Sequence, residues 1–84
     1  MKKETIKRLL TEMIDREFDI DEIAEVFHYV NEYLFAERES HREEETEHYR
    51  EVWAESAPRW RKWLTETLEK YSLDYTIEEI EEKF

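Results

Sequence analysis

No glycine occurs in this 84-residue chain. Glycine adopts positive φ at no steric cost, and the tight turns of β-hairpins depend on it. A chain without it is poorly suited to sheets built from short hairpins. Any helix that ends on a left-handed residue must use another side chain there. The same absence excludes the phosphate cradle of a P-loop, the dinucleotide-binding fingerprint and the EF-hand loop. There is no cysteine either, so there is neither a disulfide framework nor a thiolate metal site. What remains is an all-α reading. We expect one domain over residues 1–84, a small antiparallel bundle of three to four helices with helical corners at both chain ends.

Hydrophobic periodicity supports this. Ile6, Leu9, Leu10, Met13 and Ile14 recur at three- and four-residue spacing, which predicts a first helix over about 3–17. Asp19 and Glu22 form a capping-box pattern with Phe18 as its apolar staple. It opens a second helix over about 20–36 that carries Ile20, Ile23, Phe27, Val30 and Leu34, and that could extend further. Residues 37–48, ERESHREEETEH, contain no apolar side chain. Charge pairs at helical spacing, such as Glu39 with Arg42 and Glu47 with Arg50, favour an exposed helix there over a solvated linker. The stripe resumes at Tyr49 and runs through Val52, Trp53, Ser56, Trp60, Trp63, Leu64, Leu68 and Tyr71. This predicts a third helix over about 49–72, either kinked at Pro58 or started afresh there with Ser56 as N-cap. An interior proline costs about 3 kcal/mol, which favours the fresh start. Thr76 and Glu79 form a second capping box before a short helix over about 77–84.

An internal similarity links the two chain ends. Residues 8–17, RLLTEMIDRE, resemble residues 62–71, KWLTETLEKY. Residues 18–27, FDIDEIAEVF, resemble residues 75–84, YTIEEIEEKF, after a three-residue insertion. Both ends read as helix, corner, amphipathic helix.

The net charge is −11, and residues 19–56 hold −10 of it. Nucleic acid and anionic membranes need a basic surface, so direct binding to either is disfavoured and a basic protein partner is expected. No apolar run approaches 18 residues and no signal-peptide pattern opens the chain, so the expected compartment is the cytoplasm. Were residues 19–56 one helix, they would span about 57 Å with one net charge per roughly 5.7 Å. Duplex DNA carries one per about 1.7 Å, so on this arithmetic imitation of DNA would need a dimer, or would engage only a small part of a basic surface.

Four constellations could carry chemistry. Glu25 with His28 and Glu45 with His48 share the Glu-x-x-His spacing of di-iron carboxylate bundles. Over five residues EETEH (44–48) resembles a fragment of ferritin-like helices, which implies a carboxylate–histidine metal site in a dimer. Against this, Glu25 and His28 point away from the apolar stripe of their helix. Three histidines and many carboxylates could serve acid–base catalysis. The hydroxyl nucleophiles Ser40, Ser56 and Ser72 all fall in exposed or capping contexts, so no enzyme and no cofactor is expected. Basic residues interleave with Trp60 and Trp63, yet helical phase puts both tryptophans on the apolar stripe, as core or as interface anchors. Three tryptophans in so thin a domain point to a homodimer or a partner-binding groove.

The last constellation is the acidic strip itself. The reading that joins these features is a non-enzymatic module that docks on a basic partner. Its candidate interaction residues are Glu37, Glu39, Glu43, Glu44, Glu47 and Glu51, with Trp53, Trp60 and Trp63. Small acidic helical proteins are common among virus-encoded inhibitors and DNA mimics, and that is the class to which this reading points. The alternatives are the dimeric metal protein and a structural or designed oligomerising bundle without ligand.

Overall fold

A computed structural model describes residues 2–75 and 77–80. Among these residues the fold is all-α, with four helices: α1 (Lys3–Asp15), α2 (Ile20–Ser40), α3 (Glu47–Lys70) and the single turn α4 (Ile77–Ile80). Among the described residues there is no strand, and no helix is long and apolar enough to cross a membrane. The molecule measures 44 × 22 × 20 Å.

The axis of the structure is the antiparallel hairpin of α2 and α3. Their 21 and 24 residues correspond to rods of about 31 and 36 Å. The 13-residue α1, about 20 Å long, lies across only one end of this pair. There Leu9 and Met13 are fully buried with Val26, Val30 and Tyr33 of α2 and Leu64 and Leu68 of α3, and Leu73 and Ile80 close the cluster. Beyond Tyr33 and Leu64 the hairpin continues as two helices. Ala36 and Ala57 are buried along this stretch.

Both helix-ending corners have the same construction. Phe18 N–H donates to the Met13 carbonyl and Glu17 N–H to that of Ile14; Leu73 N–H donates to Leu68 and Ser72 N–H to Glu69. These are two Schellman motifs. The left-handed position, usually glycine, is filled by Glu17 (φ 61°) and Ser72 (φ 53°). Equivalent residues differ by 55 in number, pairing Leu9 with Leu64 and Met13 with Leu68, all four buried. The sequence similarity aligns best at 54, one residue out of structural register. The corners also touch. The Arg16 guanidinium donates to the Tyr71 carbonyl at 2.7 Å and to that of Ser72 at 3.3 Å, capping the end of α3. The rings of Phe18 and Tyr71 meet at 5.3 Å.

The Asp19–Glu22 capping box is present in full, with Glu22 N–H to Asp19 at 2.8 Å and Asp19 N–H to Glu22 at 3.0 Å. Two expectations are corrected. Residues 37–48 are not one exposed helix: α2 runs on to Ser40, the chain turns over 41–46, and α3 starts at Glu47. The Thr46 hydroxyl oxygen accepts from Tyr49 N–H at 3.2 Å as N-cap. Nor does a helix begin at Pro58. Helix α3 passes through it unbroken, and Ser56 donates its hydroxyl to the Val52 carbonyl at 3.0 Å, four residues back within the same helix. Pro58 is exposed, so its ring disturbs no packing. Trp53, Ala57, Trp60 and Leu64, buried or half-buried on both sides of it, hold the rod together. The capping residue Thr76 and the last residues of the expected final helix lie outside the described residues.

Candidate interaction surface

The turn over 41–46 is built by two arginines. Arg42 reaches back to Glu39, Nη1 to Oε1 at 3.1 Å, and forward to Glu44, Nε to Oε1 at 2.9 Å. Arg50, in the first turn of α3, donates to the carbonyls of Glu43 and Glu45, both at 3.2 Å. Chain reversal leaves carbonyls without helical partners, and these contacts satisfy two of them. His41 lies 3.9 Å from Glu37.

The candidate carboxylates therefore separate. Glu39 is 6% exposed and is held by Arg42, so it is part of the turn's framework and contributes little to the surface. Glu37 is half-buried on α2. Glu44 is exposed, and Arg42 holds its carboxyl below the usual range, chiefly by their hydrogen bond. Glu43, Glu47 and Glu51 are exposed, and among the described residues no ion pair involves them. Residues 31–56 carry nine carboxylates and three arginines, net −6. Folded back as a hairpin they occupy a length of only about 15 Å, or one net charge per roughly 2.5 Å. The extended-rod arithmetic of 5.7 Å is thereby corrected, since one chain brings its own two acidic segments side by side.

One side of the hairpin is aromatic. Phe35 and Trp53 meet edge to face at 5.0 Å, with Tyr49 6.3 Å from Trp53. Further along, Trp60 contacts His28 at 5.9 Å, Tyr29 at 6.2 Å and Trp63 at 4.9 Å. His28 and Phe35 are turned about 140–160° around α2 from Val30, and Val52 and Trp63 by the same amount around α3 from Leu68. Val30 and Leu68 belong to the core with α1, so this side of the hairpin faces away from α1. Trp53 and Trp60 are half-buried, whereas Trp63 is 42% and Val52 45% exposed. Trp63 is thus an edge residue and not a core one.

The Glu-x-x-His pairs do not come together. Glu25 accepts from Lys70 Nζ at 3.1 Å and from the Tyr71 hydroxyl. The tyrosine bond first, and the lysine second, hold its carboxyl below the usual range. His28 turns its ring to Trp60 instead, while Glu45 lies in the turn at the other end of the hairpin and His48 in the first turn of α3. No group of three or more His, Asp or Glu residues that could hold a metal ion occurs among the described residues. The role of Glu25 escaped the sequence because α2 packs on two sides, against α1 and against α3. A residue opposite its main stripe therefore faces a neighbour. The arginine clamp was missed as well; its signal was three arginines set singly within an otherwise acidic run.

Protein-family models, curated proteins and solved structures were all compared with this chain, and none matches.

Proposed function

We propose that this protein is a non-enzymatic binding module that docks the far end of its α2–α3 hairpin on a basic protein partner. The observation that carries this reading is the way the turn uses its bases. Arg42 and Arg50 are engaged within the turn, and Glu43, Glu47 and Glu51 are left to solvent beside Glu44. The Phe35–Trp53–Tyr49 cluster stands next to these carboxylates and offers an apolar anchor of the kind favoured at interfaces. A density near one charge per 2.5 Å comes within about twofold of duplex DNA, one per 1.7 Å. The favoured partner is accordingly a protein whose surface accepts nucleic-acid phosphates, and the module would compete for that surface.

The test is competition. A basic DNA-binding domain is held on a fluorescent duplex, and the protein is titrated in at low and at physiological salt. The expected result is displacement that weakens as salt rises. In the triple variant Glu43→Gln, Glu44→Gln, Glu47→Gln, displacement should weaken by about tenfold or more, the sum of several small exposed charge contacts. Equal competition by the variant and the parent would refute the reading.

A further inference from the structure

Helix α3 is electrically two-ended. Residues 47–58 carry three carboxylates and one arginine, net −2; residues 59–70 carry four bases and two carboxylates, net +2. Two of those bases are held within the chain, Arg61 by Glu78 at 3.7 Å and Lys70 by Glu25 at 3.1 Å, which leaves Arg59 and Lys62. Its outward stripe, on the side away from α1, is Val52, Ser56, Arg59 and Trp63, spaced four, three and four residues apart on one helix face. The two large apolar members stand at the ends of this stripe, 45% and 42% exposed. Between them is Ser56, whose hydroxyl is satisfied within its own helix by the Val52 carbonyl at 3.0 Å. The middle of the stripe is shared by this small side chain, which needs no water, and by the exposed Arg59.

We infer that a second copy of this chain covers the stripe, its α3 antiparallel to the first about a twofold axis passing between Ser56 and Arg59. Because Val52 and Trp63 are equidistant from that axis, Val52 of each copy meets the partner's Trp63, and the contact is self-complementary as a twofold interface requires. At the centre the small Ser56 leaves room for the partner's Arg59. The same operation sets Glu55 of each copy beside the partner's Arg59, on both sides of the axis. A parallel arrangement would set like charge on like. Opposed charges in this order fix orientation and exclude the wrong register. The turn over 41–46, with Glu43 and Glu44, lies outside α3 and stays accessible in the dimer, whereas Glu47 and Glu51 belong to the helix that faces the partner copy. The dimer is therefore tested without any basic protein, so that its failure is distinguishable from failure of the docking surface.

Sedimentation velocity across a concentration series of the full chain, without any partner, tests this. Wild type should sediment as twice its 10.6 kDa at high concentration. Trp63→Glu should be monomeric with an unchanged helical circular dichroism spectrum, because Trp63 is not needed by the core. Glu55→Arg should weaken the dimer by about tenfold, and the double reversal Glu55→Arg with Arg59→Glu should recover most of that loss. The proposal is overturned by a monomeric wild type at every concentration, by a dimer that survives Trp63→Glu, or by a double reversal no better than Glu55→Arg alone. A wild type that is monomeric until a different protein is added falls in the first of these.

Discussion

Replacing Leu64 with alanine is expected to remove about 3 kcal/mol of stability, within the 2–5 kcal/mol range for such a truncation. Leu64 is fully buried where α1, α2 and α3 meet. Its loss leaves a cavity that three separate elements would have to collapse around, and Ile80 and Leu73 already fill the remaining side. A chain of this length has a total stability on the order of 4–12 kcal/mol. The variant should therefore melt roughly 12–24 °C lower, or be partly unfolded at room temperature. The control is Ile20→Ala. Ile20 is equally apolar and sits in the predicted stripe of α2, as Leu64 does in that of α3, yet it is 76% exposed. It should change stability by no more than about 0.5 kcal/mol. Thermal melts followed by circular dichroism decide the matter. Equal effects at the two positions would mean that the core has been placed wrongly.

The opposite sign is expected at the corners. Glu17→Gly and Ser72→Gly should each stabilise the protein by about 1 kcal/mol, because a side chain with a Cβ costs about 1–2 kcal/mol in the left-handed region and glycine does not. The gain is net of the larger backbone entropy that glycine has in the unfolded chain. Glu17 carries a second penalty. Its carboxylate stands at the negative end of the α1 dipole, where an anion is unfavourable by about 0.3–1 kcal/mol. Glu17→Gln separates the two contributions by removing the charge and keeping the Cβ. The double glycine variant should melt about 8–16 °C higher if the gains add. Glycine placed within a helix does the reverse and destabilises by roughly 1 kcal/mol. A fall in melting temperature for either variant would mean that its corner is not left-handed.

How much of this was written in the sequence depends on the range of the interactions involved. The capping box at Asp19 and Glu22 was legible because it is entirely local. So was the helical class, because the apolar spacing repeats over many turns and there is no glycine to break it. The turn over 41–46 was not legible. Charge pairs three residues apart are equally at home in a helix and in the Arg42 clamp, where the same Glu39–Arg42 pair closes a turn. Pro58 misled for a related reason. Its local cost is real, but tertiary packing of Trp53, Ala57, Trp60 and Leu64 along one continuous rod exceeds it. Of the candidate surface, Glu43, Glu47 and Glu51 were readable as solvent-facing, while burial of Glu39 was not. The role of Glu25 required knowing that α2 is sandwiched, which no single helix's periodicity reveals. The exposure of Trp63 against the half-burial of Trp60 also rests on tertiary packing, since Trp60 lies against His28 and Tyr29 of α2 while Trp63 is on the side away from α1.

The most direct measurement of the account is a nuclear magnetic resonance titration of the isotope-labelled chain with a short peptide rich in lysine and arginine. The expected result is a set of amide shifts concentrated between Arg42 and Glu55, fading as salt is raised, with α1 undisturbed. Shifts spread evenly over the surface, or centred on the outer face of α1, would contradict the claim that the hairpin's acidic end is where this protein meets its partner.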